Sequence, residues 1–421
     1  MSAPKGSPWR NQTYAAIWLA NAVSVLGDWL HAMALMVLVY DLTGSGLAVG
    51  VMLASKVLPA LFMGAVAGVL ADRWDRKWIM IGSDMARFLL VLGFLFVRTP
   101  AGVWLVIALN ILLSTASSLF RPARAAAVAC VMPKDQLVTA NGWLEGTSNI
   151  VMLMGTLAGG VLAGAIGPYN VFLLNAASFL TSGLILLVIP GQRPLPVPGT
   201  GHDLGPGAPS GGMWREFVAG LRHVVQDRVT LFLIVFYSLW ILGVGMSSVV
   251  MVVFASDVWN VGTAAVSYLY AAVGAGSIIG ALATRAVSNR LQPIPLLIGG
   301  IAFVGVLDTL FGLSNTLVIG CTLLFLAGIC DGLLTVANDT TLMRRMSQAF
   351  IGRVFSVYGA LTTTSNVVGM LVSGVVNDTF GARAVMISSG LYMLVLAVPA
   401  LLVSRRMLRR GRSEAGTAKE A

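Results

Sequence analysis

Residues 146–192 read GTSNIVMLMGTLAGGVLAGAIGPYNVFLLNAASFLTSGLILLVIPGQ, a stretch of 47 residues without a charged side chain. A bilayer core offers no water to hydrogen-bond the backbone, so each crossing segment must be a helix of about 20 mostly apolar residues. The stretch is long enough for two such helices, and Gly167-Pro168 lies where the turn between them is expected. Similar apolar stretches recur along the chain, which predicts an all-α membrane protein with many crossings.

The composition of the 421 residues agrees with this interpretation. Hydrophobic residues make up 57%, charged residues 10%, and the mean hydropathy is +0.86, whereas a soluble domain carries about 25% charged residues. The three cysteines predict no disulfide framework. Because the first apolar stretch is full length and lacks a small-residue cleavage site, we expect it to act as an uncleaved first span.

Hydropathy and turn residues predict twelve transmembrane helices. Their predicted bounds are 12–40, 46–70, 79–97, 102–123, 143–166, 169–190, 229–256, 262–285, 293–313, 316–340, 354–376 and 384–404. With the N-terminus inside, only Arg98 and Arg383 of the 27 Lys and Arg fall in outside loops, and Lys56 lies within a helix. The other 24 then lie in or beside cytoplasmic loops and tails. This asymmetry follows the positive-inside rule, so both termini are predicted to be cytoplasmic, and the net charge of +10 reflects topology rather than nucleic-acid binding.

A Pro- and Gly-rich segment divides the chain. We predict an N-terminal six-helix bundle at residues 1–190, a cytoplasmic linker at 191–228, a C-terminal six-helix bundle at 229–404 and a basic cytoplasmic tail at 405–421. Apolar residues recur at helical spacing in 213–228, which predicts an amphipathic helix on the inner leaflet. A short extension of the seventh helix is the alternative.

The two predicted bundles share short sequence patterns. The stretch 68–73 (GVLADR) ends the second helix and 280–285 (GALATR) ends the eighth, while Gly155-Thr156-Leu157 of the fifth helix matches Gly369-Met370-Leu371 of the eleventh. The offsets are 212 and 214 residues, and both pairs keep the same orientation. The chain is therefore predicted to contain two parallel six-helix pseudo-repeats, an arrangement found in transporters that rock about a midplane site.

The loop after the second predicted helix carries the sequence GVLADRWDRK at 68–77. It resembles the cytoplasmic loop motif of the major facilitator superfamily, Gly-x-x-x-Asp-Arg-x-x-Arg-Arg/Lys. The resemblance assigns Gly68, Asp72, Arg73, Arg76 and Lys77 to a conformational latch loop that holds the two halves in the outward-facing state. The related stretch after the eighth helix has Thr284 in place of the acid, so its charged latch is expected to be absent.

Further stretches narrow the resemblance. Tyr40-Asp41 with Gly44-Ser45 closes the first helix, Phe120-Arg121-Pro122-Ala123-Arg124 closes the fourth, and Gly352-Arg353-Val354-Phe355-Ser356 opens the eleventh. Together they are similar to the twelve-helix bacterial drug-efflux branch that includes macrolide efflux proteins and the enterobactin exporter. This resemblance implies the major facilitator fold and secondary transport, but it does not specify the substrate.

The sequence supports no competing chemistry. It has no Gly-x-x-x-x-Gly-Lys-Ser/Thr loop for ATP, no hydrolase triad, and histidines only at positions 31, 202 and 223, which do not cluster as metal ligands. We therefore predict a protein that is not an enzyme and has no cofactor and no metal. The energy source is then an ion gradient, with protons as the default because carboxylates and histidine carry them.

Charged residues at helix centres are costly, at about 2.5–3.5 kcal/mol on insertion scales, so each needs a reason. Asp28 lies in the middle of the first helix, His31 lies one turn further on the same face, and Lys56 lies at a comparable depth in the second helix. We hypothesise an Asp28–Lys56 ion pair that carries protons, with His31 joining the transfer. The alternative is a pair that only fixes helix packing.

The predicted second bundle has two intramembrane acids. Asp331 lies near the middle of the tenth helix, which lines the cavity in this superfamily, so the resemblance makes it a proton-carrying or cation-attracting candidate. Asp308 lies on the peripheral ninth helix and is expected to be structural. Two pairs in the first bundle, Glu145 with Asn149 and Asp84 with Arg87, lie close enough to the headgroups to be solvated and predict local salt bridges or hydrogen bonds.

Adaptable aromatic and methionine side chains suit promiscuous apolar ligands. Together with Asp331, the candidates for a substrate cavity are Asn110, Tyr237, Trp240 and Met246. Lipid-facing or bundle-facing packing is the alternative for the aromatic residues.

The leading hypothesis is a monomeric, proton-coupled exporter of amphipathic small molecules in the inner membrane of a bacterium, working by rocking alternating access. Because the predicted core offers few basic residues beyond Lys56, neutral or cationic cargo is favoured over polyanions. Two alternatives stay open: a dedicated exporter of a secreted metabolite such as a siderophore, and a non-transporting sensor or scaffold built on the same fold.

Overall fold

A computed structural model describes the backbone at residues 7–133, 135–191, 221–222, 224–288, 293–346 and 348–420. Side chains are not described at 60–62, 64–69, 71–73, 285–288, 293, 348–349, 403 and 405–420. The side chains of the basic tail are therefore not described, and most of the predicted linker and most of the predicted amphipathic helix at 213–228 lie outside the described residues.

The described backbone is helical throughout, apart from short connections, and contains no strand. The helices, in chain order, are α1 (Gln12–Thr43), α2 (Gly46–Arg73), α3 (Arg76–Gly93), α4 (Val103–Val131), α5 (Leu137–Ile166), α6 (Pro168–Leu187), α7 (Arg228–Val253), α8 (Val266–Ser288), α9 (Pro293–Leu313), α10 (Leu317–Arg345), α11 (Gln348–Phe380) and α12 (Ala382–Glu420). Several extend beyond the predicted bounds, such as α4 at its C-terminal end and α5 at its N-terminal end, because hydropathy marks only the apolar part of a helix.

Eleven helical segments of the described chain are long and apolar enough to cross a bilayer, and the segment Gly46–Pro59 of α2 is apolar but shorter. The prediction of an all-α, multi-pass membrane protein is therefore confirmed. The count of twelve crossings and the pseudo-repeats stay predictions.

Local sequence explains where the first helices begin and end. The Asn11 side chain accepts a hydrogen bond from the Tyr14 N–H at 3.1 Å, and the Ser45 hydroxyl accepts one from the Ala48 N–H at 3.2 Å. These side chains satisfy amide groups that have no partner within a helix. Between the two caps, Gly44 ends α1 with a φ of 60°, a left-handed conformation that glycine adopts without strain.

The turn predicted at Gly167-Pro168 is confirmed. Gly167 has a φ of 84° and ends α5, and Pro168 is the first residue of α6. Proline suits this position because its missing N–H would have had no helical partner.

The chain divides into two compact units. Unit 1 comprises Met1–Ala208 with Gly262–Ala271, and unit 2 comprises Pro209–Val261 with Ala272–Ala421. The predicted bundle boundaries at residues 190 and 229 stay predictions.

In unit 1, α1 packs against α5 and α6, and α3 packs against α4 and α6. Glycine permits the close approach of α5 to α1, because a Cβ at Gly155 would lie 2.9 Å from Trp29 Cβ and one at Gly159 would lie 3.0 Å from Leu30 Cα. A cluster of buried apolar residues from α1, α3, α4, α5 and α6 forms the core at one end of this unit.

In unit 2, α7 packs against α11, and α9 packs against α10 and α12. Helices α8 and α10 meet backbone to backbone, since a Cβ at Gly276 would lie 2.9 Å from the Ile329 nitrogen and one at Gly328 would lie 3.0 Å from Val273 Cα. Gly369 brings α11 against α7 in the same manner as Gly155 brings α5 against α1.

Candidate functional site

A cavity of about 270 Å³ lies in unit 1, among α1, α3, α4 and α5. Neutral polar side chains and ionisable groups form much of its wall. The ionisable residues that line it are Asp28, Arg87, Arg121, Arg124 and Glu145.

A chain of charged side chains runs from the cavity into the helix packing behind it. Arg87 Nη1 lies 3.4 Å from Asp28 Oδ2, and Arg87 Nη2 pairs with Asp84 Oδ1. The Ser182 hydroxyl donates to Asp84 Oδ2 at 2.7 Å. The side chains of Arg87 and Asp84 are 3% and 0% exposed, whereas that of Asp28 is 31% exposed. One guanidinium therefore serves two carboxylates, of which only Asp28 opens to the cavity.

Aromatic rings on two sides hold the Arg87 guanidinium in place. Its central carbon lies 4.9 Å from the centroid of Phe120 and 4.3 Å from that of Phe179. Cation–π contacts of this kind help to compensate for lost hydration. The local ion pair of Asp84 and Arg87 is confirmed, but the prediction that both side chains are solvated is wrong. Both residues are buried inside unit 1.

The predicted Asp28–Lys56 pair does not form a direct salt bridge among the described residues, although the charge of Lys56 acts on Asp28. Among the described residues, Asp28 pairs with Arg87, and the Lys56 ammonium lies 5.3 Å from the centroid of Trp29. The reason is the packing of α2 against α4: the Ser114 hydroxyl donates to the Lys56 carbonyl oxygen at 2.7 Å. The Arg87 guanidinium of α3 therefore occupies the position beside Asp28 that was predicted for the Lys56 ammonium of α2.

His31 lies one turn from Asp28 but outside the charged chain. Its ring is buried, and its centroid lies 4.8 Å from that of Phe94 and 4.9 Å from that of Phe172. Neither ring nitrogen has a hydrogen-bond partner among the described residues. His31 thus occupies an aromatic cluster, and its part in proton transfer stays a prediction.

A second polar group lies at another part of the same cavity. Arg124 Nη1 donates to Asn21 Oδ1 at 2.6 Å, and Arg124 Nη2 lies 3.1 Å from Glu145 Oε1. Asn21 Nδ2 in turn donates to the Ser148 hydroxyl at 3.2 Å. Glu145, which was expected to interact with Asn149 on its own helix, pairs instead with Arg124 of α4.

Arg121 also lines the cavity, one turn before Arg124, and its side chain is exposed. No ion pair of Arg121 occurs among the described residues. The expectation that the core has few basic residues beyond Lys56 is wrong, because Arg87, Arg121 and Arg124 border one cavity. The predicted fourth helix ends at residue 123, beside Arg121 and Arg124, whereas α4 continues to Val131 and carries both arginines into the unit.

In unit 2, the candidate Asp331 accepts a hydrogen bond from the Ser277 hydroxyl of α8 at 3.3 Å. Nearby on α10, the Thr335 hydroxyl lies 2.9 Å from the Tyr237 hydroxyl. The Tyr237 and Tyr358 rings lie 5.5 Å apart, which connects α7, α10 and α11.

The other predicted cavity residues are buried. Tyr237, Trp240 and Met246 are 4%, 0% and 6% exposed and lie inside unit 2. Asn110 is 2% exposed and joins α4 to α2, because its Nδ2 donates to the Met52 carbonyl oxygen at 2.8 Å. Their contact with a substrate stays a prediction.

Asp308 is a buried acid to which sequence analysis gave no function. It is 3% exposed, and the Ser247 hydroxyl donates to its Oδ2 at 3.1 Å. Its position on α9 was visible in the sequence, but the absence of a basic partner among the described residues was not.

The predicted latch loop is described in part. The side chains of Gly68, Asp72 and Arg73 lie outside the described residues. Arg76 Nη1 donates to Cys130 Sγ at 3.0 Å, and Lys77 Nζ donates to the carbonyl oxygens of Leu187 at 2.8 Å and Ile189 at 2.7 Å. Lys77 therefore caps the C-terminal end of α6, where helix carbonyls lack partners.

An ion pair between Asp227, which precedes the span that begins at Arg228, and Arg345 joins the start of α7 to the end of α10. Asp227 Oδ1 accepts from the Val229 N–H at 3.2 Å, and Arg345 Nη2 lies 3.2 Å from Asp227 Oδ2. Burial alone would raise the pKa of Asp227, but the hydrogen bonds from Thr230 and Val229 and the charge of Arg345 outweigh it and hold that pKa below its ordinary value.

No group of three or more His, Cys, Asp or Glu side chains within the described part of the chain is arranged to hold a metal ion. The cavity in unit 1 is instead lined by paired charged side chains and by hydroxyl groups.

Comparison with known proteins agrees with the fold. Over 93% of this chain and 98% of the other, the structure superposes on the crystal structure of the nucleoside transporter NupG with a TM-score of 0.72 at 14% identity. It superposes on a bacterial homolog of the human lysosomal transporter Spinster with a TM-score of 0.70 at 16% identity, over 96% and 99% of the two chains. At these identities the likeness concerns the fold alone.

Sequence relatives cover nearly the whole chain. The MFS-type transporter YfiS of Bacillus subtilis is 26% identical over 406 residues, covering 93% of this chain and 94% of its own length. Macrolide efflux protein A of Streptococcus pyogenes is 23% identical, with 94% and 96% covered. The enterobactin exporter EntS of Shigella flexneri is 26% identical, with 93% and 91% covered.

The family described as transmembrane secretion effector matches residues 3–420. This match covers both units and every helix from α1 to α12. The chain therefore belongs to the transmembrane secretion effector family of major facilitator transporters.

Proposed function

We propose that this transporter is a proton-coupled exporter of amphipathic small molecules that works by rocking alternating access. The observation that carries the proposal is the sharing of Arg87 by Asp28 and Asp84. Two carboxylates and one guanidinium leave one net negative charge within this group, and the Lys56 charge acts on Asp28 without a salt bridge to it among the described residues. Because charge inside a membrane protein is costly and Lys56 does not contact Asp28 directly, a proton or a cationic group of the cargo can balance this charge.

Asp28 is the member of this group that meets the cavity. A proton on Asp28 makes the group neutral, and cargo that brings a positive charge does the same. Because both compensate the same negative charge, the binding of one weakens the binding of the other. Such competition couples proton entry to cargo release, provided that the two ligands differ in their affinity for the two conformational states.

The topology belongs to the same proposal. Helix α2 has 28 residues, so at 1.5 Å per residue it is about 42 Å long and reaches across a bilayer as the twelfth span. The clustering of basic residues in alternate loops orients both termini to the cytoplasm of a bacterial inner membrane. The proposal also includes two six-helix bundles related as parallel pseudo-repeats, a latch loop at 68–77 and a monomeric protein.

Transport by purified protein in lipid vesicles tests the role of Asp28. A pH gradient across the vesicle membrane is imposed, and the movement of an amphipathic cationic dye or a macrolide is measured. We expect Asp28→Asn to abolish gradient-driven movement and to weaken binding of the cationic dye, while expression persists. The matched control Asp135→Asn, at an exposed acid, is expected to behave as the unsubstituted protein. Full gradient-driven transport by Asp28→Asn would contradict the role of this carboxyl.

His31 is tested with His31→Phe, which keeps the ring in its aromatic cluster and removes both nitrogens. A folded variant that has lost gradient-driven transport would support a relay through the imidazole. A folded variant with full transport would restrict His31 to packing. Asp331, held by Ser277 in unit 2, is the corresponding candidate there and is tested with Asp331→Asn.

A specific observation favours a second candidate, a dedicated exporter of a secreted acidic metabolite. The arginines of the cavity in unit 1, with Arg121 outside any ion pair among the described residues, suit an acceptor-rich or anionic group on the cargo. Efflux of enterobactin and of the cationic dye by wild type and by Arg121→Gln separates the two. A loss confined to enterobactin favours the metabolite exporter, and a protein that moves neither compound but binds a partner protein favours the sensor or scaffold.

A further inference from the structure

Asp308 lies where three helices of unit 2 meet. It is 3% exposed, and it is the one charged residue in the sequence of α9. The neighbouring helices approach closely at this level: a Cβ at Gly305 of α9 would lie 2.8 Å from the Gly390 carbonyl oxygen of α12. On α7, a Cβ at Gly243 would lie 3.4 Å from the Ser389 hydroxyl. The carboxyl is therefore enclosed by protein rather than by lipid or water.

The polar groups around Asp308 are hydroxyls and a carbonyl. The Ser247 hydroxyl is within reach of Asp308 Oδ2 at 3.1 Å and of the Gly243 carbonyl oxygen at 3.2 Å. The Ser389 hydroxyl lies 3.3 Å from the same Gly243 oxygen. Each hydroxyl has one proton to donate, and the carbonyl competes with the carboxyl for both. A proton on Asp308 removes this competition, because the carboxyl then donates to a hydroxyl that donates onward to Gly243.

Titratable and charged groups lie on each of the helices that surround α9. Those with described side chains are Arg228 and Tyr237 of α7, Cys321, Cys330, Asp331, Asp339, Arg344 and Arg345 of α10, and Arg383 and Tyr392 of α12. Arg345 pairs with Asp227. Arg383 donates to the Gly312 carbonyl oxygen at 3.1 Å and to Asn315 Oδ1 at 2.7 Å. Within the described residues no ion pair reaches Asp308.

Unit 1 provides an internal comparison. There the buried acid Asp84 of α3 accepts a hydrogen bond from the Ser182 hydroxyl of α6. Ser182 begins the sequence Ser-Gly-Leu, which recurs on α12 at 389–391. Asp84 has Arg87 three residues further along its helix as a counter-charge. The residue three positions after Asp308 is Phe311. A similar hydroxyl environment thus encloses a charge-paired acid in unit 1 and, in unit 2, an acid that has no ion pair within the described part of the chain.

We propose that Asp308 is a proton-binding site, occupied by a proton while the α7–α9–α12 seam is closed. An ionised carboxyl in this closed seam has no counter-charge among the described residues, so the proton leaves only when the seam opens to water. When it opens, one carboxyl O–H bond breaks, the proton passes to water and the carboxylate is hydrated. Protonation and the packing of these three helices are therefore coupled. The link from this coupling to cargo movement rests on the proposed function.

Infrared spectroscopy of the full chain in lipid vesicles tests the site without any cargo. The difference between wild type and Asp308→Asn at neutral pH is expected to contain a protonated-carboxyl band and no carboxylate band. The Asp135→Asn variant, which removes an exposed acid, is expected to give a carboxylate band in the same comparison. A carboxylate band from Asp308 at neutral pH would overturn the proposal. A carboxylate band that appears only in sodium buffer, and not in choline buffer, would overturn it in favour of a sodium site.

The folded state provides a check that does not depend on spectroscopy. Asparagine has the size of the protonated carboxyl, so Asp308→Asn is expected to fold and to unfold at or above the wild-type temperature at alkaline pH. Wild type is expected to lose stability as pH rises, because its carboxyl ionises on unfolding but not in the closed seam. A pH dependence that is unchanged by Asp308→Asn would contradict the proposal.

Transport measurements distinguish a failure of the Asp308 proposal from a failure of the proposed function. If Asp308 couples the proton to the cargo, Asp308→Asn loses dye movement driven by a pH gradient and keeps dye exchange at equal pH. Gradient-driven movement at the wild-type rate would overturn the coupling. If wild type itself moves no probe, the proposed function fails, while the infrared result still decides whether Asp308 binds a proton.

Discussion

The guanidinium of Arg87 lies 3.4 Å from the Asp28 carboxylate, and it reaches that carboxylate while it remains paired with Asp84 on its own helix. This relationship joins the wall of the cavity to the packing of α3 against α6. The charge state of a cavity residue is therefore connected to the stability of the helix pair behind it.

Replacing Arg87 with Met is expected to destabilise unit 1 by about 3–5 kcal/mol, because it leaves the buried carboxylate of Asp84 without a counter-charge. The measurement is the unfolding temperature of the purified protein in detergent. The double variant Asp84→Asn with Arg87→Met is expected to recover most of the loss. If the double variant is as unstable as the single one, the stacking of Arg87 on Phe120 and Phe179 matters more than its charge.

Glycines at the α8–α10 contact are expected to tolerate no side chain. Gly276→Ala would place a Cβ 2.9 Å from the Ile329 nitrogen and should cost about 1–3 kcal/mol through overpacking. Gly82→Ala on α3 is the control, because a Cβ there meets nothing within 4 Å and should stabilise the helix by about 0.5–1 kcal/mol. Equal thermal stability of the two variants would contradict the described backbone contact.

Lys77 is expected to stabilise the end of α6 independently of any latch. Lys77→Gln should lower stability by about 0.3–1 kcal/mol through loss of a cation at the helix C-terminus. Lys77→Arg should retain most of it, and Arg10→Gln, at an exposed position, should have no effect. Unfolding temperatures decide this, and a loss of transport by Lys77→Gln without any loss of stability would instead favour the latch.

Stability in acid is expected to depend on Asp227. Its pKa lies below the ordinary value of 3.8 in the folded state, so its contribution is present at higher pH and is lost as pH falls below about 4 through the folded pKa. Asp227→Asn should be less stable than wild type at neutral pH, and the two should converge in acid. Parallel stability curves across this range would show that the pair with Arg345 contributes nothing measurable.

Helix positions were largely predictable because the bilayer imposes a length and a composition on each span. The turn at Gly167-Pro168 shows this, since the absence of charge and two turn-forming residues were sufficient. Helix ends were less predictable: α4 continues past its apolar part, which carries Arg121 and Arg124 into the unit instead of leaving them at its end.

Charge partners were not predictable from depth alone. Asp28 and Lys56 lie at similar depth, but the identity of neighbouring faces depends on how α2 turns towards α4, and that is set by contacts such as Ser114 with the Lys56 carbonyl. Arg87 was overlooked as a partner because its nearest acid in sequence, Asp84, accounted for its charge. The peripheral position of the ninth helix indicated a structural role for Asp308, whereas its distinguishing property is a hydroxyl environment in which no described residue forms an ion pair with it.

The exposure of Cys130, beside Arg76, allows a labelling experiment. Cys130 is exposed at this end of unit 1, while Cys321 and Cys330 lie within the spanning helix α10. A membrane-impermeant maleimide applied to intact cells, and then to inverted vesicles, therefore has one readily accessible natural target. The side on which labelling occurs fixes the sidedness of the α3–α4 end without any engineered tag.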